Sequence, residues 1–487
     1  MFFRKVTIGL AVVLSAVNAD VIQLGIQKDY GAAQANHLHK RNTAYGAELE
    51  NGGILYYTNI TVGTPPQDQR VEVNTALSLL YVLTSDDPVC ATEPCLTDLY
   101  DTSESKTYVP TDKEFQVLYV DGDNATGIYC SDAFSMGGIQ IPNITFAAAN
   151  YSTKANGALG LGFGDDGFVP FLVKNGYISS QVYSVWLNDA DATEGEIVFG
   201  GFDKSRYLND LHVIDMVPPL GSSDVADTRV NLTYINTWNT SLSESVGMMN
   251  ALLISATTDI YVPQVVYDGI VNHYFPSDNQ TADLFCDELN EDAEDALYFQ
   301  FGDFAIEITK KLLFPPVEIS NGFGNVTKKY QDGREICALA VSVDDESVML
   351  GIAFLRAAYT VIDLDSQKVG LAQAYYGTVK SNFIEVNENG IGGYDGAAGL
   401  SLQTVTATAT RTIITSSPTN VATWATTAVN STAGVVTSAH ASSPALVTTS
   451  ASASASASAK SGASTARIEA MLALVTIGTV AFVALWV

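Results

Sequence analysis

The sequence predicts an all-β body of two lobes, and three observations carry that expectation. Across residues 53–376, short runs of alternating apolar and polar residues (ILYYTNITVG, GEIVFGG, AYTVIDLDSQKVGLAQA) are separated by clusters of Gly, Pro, Asn and Asp. Helical periodicity is scarce there, FVPFLVKNGYI and residues 263–274 being the best helix candidates. An apolar strand, a tight turn of small polar residues and a second apolar strand occur twice, as VEVNTALSLLYV from Val71 and ALLISATTDIYV from Ala251. About 320 residues of this pattern correspond to two lobes of roughly 160 residues each.

The body has processed flanks. MFFRKVTIGLAVVLSAVNA opens with Arg4 and Lys5, continues with an apolar run from Val6 and ends in small residues at Ala19. That run is too short to span a bilayer, so residues 1–19 read as a secretory signal peptide. Residues 20–41 are a candidate propeptide closed by the dibasic pair Lys40 and Arg41. The body follows at 42–378, with an N-lobe at about 42–212 and a C-lobe at about 213–378.

From about Ser381 the composition changes, and beyond Gly399 it is mostly Ser, Thr, Ala and Val with scattered Pro, including SASASASASA. Such a stretch cannot bury enough apolar surface to offset its ordering entropy, so 379–461 is expected to be a disordered, O-glycosylated stalk. The last segment, 462–487, ends in an unbroken apolar run from Ala470 after small residues and a short polar spacer. This is the pattern of a glycosylphosphatidylinositol anchor signal, with attachment at Ser461 or Gly462. No basic residue follows the apolar run, which favours its removal over a membrane-spanning helix. The expected destination is the cell surface, through a lipid anchor in the membrane or through cell-wall glucan.

Charge and motif content narrow the function classes. The chain carries 24 Lys and Arg against 53 Asp and Glu, a formal net charge of −29 at pH 7. That surface repels nucleic acid and anionic membranes, and it suits a soluble glycoprotein in an acidic milieu. Sequons stand at Asn59, Asn124, Asn143, Asn150, Asn231, Asn239, Asn279, Asn325 and Asn430. Of five cysteines, Cys286 and Cys337 would close a long loop worth roughly 4 kcal/mol, and Cys90 and Cys95 a short one. Cys130 is left odd and can compete for either partner. No spacing suggests a metal site, and no cofactor is expected. His212 and His273 are the body's only histidines and read as packing or surface residues.

The ordered landmarks of residues 53–376 resemble the pepsin family of aspartic endopeptidases (peptidase A1), and most closely its fungal surface-anchored branch, the yapsins. YYTNITVGTPPQ is similar to the family's first strand and turn, and YDTSESKTYVP to the loop before the flap. VLYVDGDNATG resembles the flap hairpin, with Tyr119 as the flap tyrosine and Tyr81 where a tryptophan often stands behind it. NGALGLGF, GEIVFGGFD and VMLGIAFLRAAYTVIDLDSQKVGLAQA resemble the support loops and the close of each lobe. The resemblance implies a bilobal pepsin-like fold with a central cleft, and one Asp-Thr/Ser-Gly turn from each lobe on the cleft floor.

Here those turns read VNTALS and LISATT. Asn74 and Ile254 stand at the positions that the resemblance assigns to the catalytic aspartates, and Ala76 and Ala256 at its glycines. An amide is a poor base and isoleucine offers no hydrogen-bonding atom, so no catalytic residue is expected. Thr75, Ser255, Thr257 and Thr258 remain, with hydroxyls able to tie the turns together. Alanine in place of glycine could alter the turns if they need positive φ. Asp259, five positions beyond Ile254, is expected to be leaving the turn along the next strand.

Three functions follow from the resemblance. The first is a monomeric, inactive pseudoprotease that binds a peptide or protein in a cleft lined by Tyr119, Tyr81, Thr75, Ser255 and Thr257. The second is a structural wall glycoprotein with an inert head. The third is an aspartic-type endopeptidase with residual activity.

Overall fold

A computed structural model describes residues 21–25, 27–28, 44–45, 49–51, 55–91, 95, 98–119, 122–190, 192, 194–276, 283–289, 295–320, 325–394 and 398–399. All of them fall in the first of two units, Met1–Ala407. The signal peptide, Lys40 and Arg41, Ser461, Gly462, Asn279, Asn430 and the side chain of Asn325 lie outside the described residues. So does the second unit, Thr408–Val487.

The fold is all-β and bilobal, as the alternation predicts. In the N-lobe, β1 (Tyr56–Val62) pairs antiparallel with β2 (Gln67–Asn74), and β3 (Leu80–Leu83) follows the first turn. The long β4 (Val109–Leu118), β5 (Asn124–Met136) and β6 (Ile139–Ser152) form an antiparallel meander. Strand β7 (Gly157–Gly160) then inserts between β2 and β3, parallel to the first and antiparallel to the second, with Gly160 opposite Asn74. The helix α1 (Phe168–Lys174) falls on the first candidate and buries Phe168, Val169 and Leu172.

The C-lobe repeats the device. Strands β8 (Met249–Leu253) and β9 (Ile260–Val262) flank the second turn, and β10 (Val348–Leu350) runs between them, parallel to β8 and antiparallel to β9. The helix α2 (Gln264–Tyr274) matches the second candidate and buries Val266 and Ile270, one turn apart on one face. In both lobes a glycine stands where the inserted strand ends, Gly160 as its last residue and Gly351 directly after it, because nothing larger fits. A Cβ on Gly160 would lie 2.5 Å from the carbonyl oxygens of Leu77 and Leu79. One on Gly351 would lie 2.3 Å from the carbonyl oxygen of Asp259.

The lobes share a sheet, in which Val182–Trp186 pairs antiparallel with Ala358–Asp363. Both strands are buried along their whole length, Ser184, Thr360 and Asp363 included. The backbone of Val21–Gly25, within the candidate propeptide, pairs antiparallel with residues 196–199 of the same sheet.

Disulfides join Cys90 to Cys95 and Cys286 to Cys337, and Cys130 is free and buried, with its thiol pushed up to about 12 by burial and the nearby Asp132. Among the sequons, Asn59, Asn143, Asn150, Asn231 and Asn239 are exposed and Asn124 is half-buried. No helix among the described residues is long and apolar enough to cross a membrane.

The packed body runs beyond the boundary placed at residue 378. Phe383–Glu385 pairs antiparallel with Gly201–Asp203, and Val386 and Ile391 are fully buried. The backbone N–H of Asn382 donates to Asp203 at 2.7 Å and that of Ile391 to Asp363 at 2.9 Å. A stalk beginning at 379 is therefore a boundary set too early. Four apolar residues, Phe383, Ile384, Val386 and Ile391, are diluted by their polar surroundings in any average of composition.

Candidate active site

The two turns meet through Thr75 and Ser255, which are 5% and 1% exposed. The backbone N–H of each donates to the other's hydroxyl, at 3.1 Å from Thr75 and 3.0 Å from Ser255. Each hydroxyl then donates to a carbonyl of the opposite lobe, Thr75 to Leu253 at 3.3 Å and Ser255 to Val73 at 2.7 Å. Four bonds thus lock one turn to the other, and every polar atom involved is buried and satisfied.

The other two expected hydroxyls do not join this lock. Thr257 contributes its carbonyl, which accepts from the Ile352 N–H at 2.9 Å. Thr258 donates its hydroxyl to Asp259 at 3.0 Å. Asp259 also accepts from Ser342 Oγ at 2.6 Å, so its carboxylate serves a neighbouring strand.

Asn74 is 3% exposed, and both ends of its amide are engaged. Its Oδ1 accepts the N–H groups of Ala76 and Leu77, each at 3.0 Å. Its Nδ2 donates to Glu72 Oε1 at 3.1 Å. Ile254 on the facing turn is half-buried, and its N–H donates to the Leu350 carbonyl at 3.2 Å. Neither Ala76 nor Ala256 has a positive φ, so their methyl groups leave both turns unstrained.

The hairpin between β4 and β5 closes through Tyr119, whose N–H donates to the Asp123 carbonyl at 2.8 Å. The Tyr119 and Tyr81 hydroxyls lie 2.7 Å apart. Lys154 stands 4.9 Å from the centre of the Tyr119 ring and pairs with Asp123 at 2.9 Å. Tyr81 is fully buried, and burial, with Tyr119 and Glu72 nearby, holds its hydroxyl in the neutral form. Tyr57 is likewise pushed up to about 12, by burial and then by Glu72.

The structure thus joins Thr75 to Ser255 and Tyr81 to Tyr119, and places Asn74 beside the first pair with separate bonds to Glu72, Ala76 and Leu77. Sequence reasoning missed Glu72 and Lys154. A signal existed for Glu72, since it is the acidic residue in the segment RVEVN and shares a face with Asn74 by two-residue alternation. Lys154 carried none. His212 stacks flat on Phe304 at 4.1 Å, and His273 packs edge-on against Tyr274, its pKa lowered by burial. No group of three metal-ligating side chains occurs among the described residues.

A family model described as eukaryotic aspartyl protease matches residues 55–374. The probable aspartic-type endopeptidase OPSB of Arthroderma benhamiae is 30% identical over 367 residues, 70% of this chain and 72% of that one. Secreted aspartic protease 8 of Candida albicans is 32% identical over 357 residues, 70% and 81% of the two chains. The acid protease of Saccharomycopsis fibuligera is 30% identical over 348 residues, 67% and 83%.

Proposed function

This chain belongs to the eukaryotic aspartyl protease family, and from that premise we propose that it is a catalytically inactive, surface-anchored member whose cleft binds extended peptides. The observation that carries this reading is the chemistry of residues 74 and 254. Hydrolysis by a carboxylate pair needs one ionised member to take a proton from water and one protonated member to give a proton to the peptide carbonyl oxygen. The water oxygen then bonds to the carbonyl carbon as the carbonyl π electrons move to oxygen. The Asn74 amide oxygen is a weak base already accepting two N–H groups, and Ile254 has neither acid nor base.

Peptide binding does not depend on those two groups. An extended ligand pairs through its backbone with strand edges and hairpins, and the Tyr119 hairpin is held in place by Tyr81, Lys154 and Asp123. The signal-like N-terminus, the exposed sequons and the anchor-like tail support secretion to the cell surface. The relative secreted aspartic protease 8 is named as secreted, in keeping with the first of these steps.

Fluorescence anisotropy against a library of labelled extended peptides tests the reading. Saturable binding that weakens by about tenfold in Tyr119→Ala, the loss of roughly 1.4 kcal/mol, is the expected result. Binding of no peptide by the intact chain contradicts it and leaves an inert head.

A further inference from the structure

We propose that Glu72 is a third element of the altered site. It is a positioning residue that holds the Asn74 amide, and it would draw the proton of any carboxylate installed at residue 74 away from residue 254. This rests on the reading of the cleft as inactive.

Glu72 and Asn74 lie two residues apart on β2 and project from one face. Glu72 is 2% exposed, and its carboxylate accepts from Asn74 Nδ2 at 3.1 Å. That bond decides which way the amide faces, with nitrogen toward Glu72 and oxygen toward the Ala76 and Leu77 N–H groups. Other titratable and charged groups surround this pair. Tyr57 is opposite Glu72 in the sheet, and Arg70 stands 4.2 Å from the centre of the Tyr57 ring. Lys154 also acts on Tyr57, and Tyr81 feels Glu72, Tyr119 and Asp123.

Replacing Asn74 with Asp turns the donor beside Glu72 into an oxygen. Two buried carboxylates at that separation cannot both ionise, so one proton stays between them. The retained proton is then held between residues 72 and 74 and is not shared between residues 74 and 254, as a catalytic carboxylate pair requires. Restoring both aspartates would therefore leave the site impaired until the charge at residue 72 is also removed.

Two measurements on the full chain test this. In N74D the folded pair keeps a proton that the unfolded chain releases above about pH 4. A folded pKa raised in this way gives stability that is present below the unfolded pKa and lost as pH rises through the folded one. The Tm gap between N74D and wild type should widen by about 2–4 °C from about pH 4 to about pH 7. E72Q/N74D should show no widening. An N74D gap that is equal at both pH values overturns the proposal, whether or not the wild type cuts peptides.

Peptide cleavage is the second measurement. E72Q/N74D/I254D should exceed N74D/I254D by about tenfold or more. Equal rates in the two, silence included, overturn the diversion of the proton. Cleavage by the wild type would sink the inactive reading alone, because the Tm comparison judges Glu72 without it.

Discussion

The hydroxyl of Thr75 accepts the backbone N–H of Ser255, and the hydroxyl of Ser255 accepts that of Thr75, at 3.0 and 3.1 Å. The pair is reciprocal across the lobes and needs no carboxylate at either neighbouring position. It explains how the turn architecture persists with Asn74 and Ile254 in place: the hydroxyls supply the joint, and residues 74 and 254 are free to differ.

Thr75→Val removes one acceptor and one donor from that joint and leaves the Ser255 N–H buried without its partner. We expect a loss of about 1–3 kcal/mol in chemical denaturation. Ser255→Ala should cost a similar amount, and the double variant less than the sum, because both act on one network.

Asp132 carries a second buried network. Its carboxylate is wholly buried and accepts from Tyr100, Ser105 at 2.6 Å, Thr107 and the Ala133 N–H at 2.7 Å. Burial pushes its pKa up, but the hydrogen bonds from Ser105, Thr107, Tyr100 and Ala133 outweigh it and leave the value lowered. A lowered folded pKa gives stability that is present above the unfolded value and lost as pH falls through the folded one. Tm followed from about pH 5 to about pH 2 should fall less steeply in Asp132→Asn than in the wild type. Parallel acid limbs would contradict this.

Gly160→Ala and Gly351→Ala place a methyl group 2.5 and 2.3 Å from fixed carbonyl oxygens. Each should destabilise by about 1–3 kcal/mol or more, measured by urea unfolding. Gly221→Ala serves as a contrast. It has open space around it but a φ of +84°, so its cost is backbone strain alone.

A chain ending at residue 378 should be less stable than one ending at residue 400. The shorter chain uncovers the places of Val386 and Ile391, whose burial contributes about 1.5–3 kcal/mol each. It also removes the N–H groups that Asp203 and Asp363 accept. Equal Tm values for the two would show that this C-terminal strand adds nothing to the fold.

Much of this was legible in the chain. Alternation gave the strands, the two apolar-turn-apolar segments gave the paired turns, and both helix candidates are helices. The resemblance of ordered landmarks set Tyr81 behind Tyr119, and the two hydroxyls lie 2.7 Å apart. What stayed hidden depends on contacts between distant residues. The division of labour among Thr75, Ser255, Thr257 and Thr258 is set by which hydroxyl faces the other lobe, and four similar side chains cannot reveal that in sequence. The strand at Phe383–Glu385 is too short to show a period, and its partner is Gly201–Asp203, far back in the chain.

The central claim is that residues 74 and 254 leave the cleft without a catalytic pair. Incubation of the purified, glycosylated chain with a diverse peptide library across acidic to neutral pH, read by mass spectrometry with and without pepstatin, tests it most directly. Silence at every pH, with the same chain still binding peptides, is the predicted result. Pepstatin-sensitive cleavage that copurifies with the chain would contradict the claim and show that another group performs the acid and base chemistry.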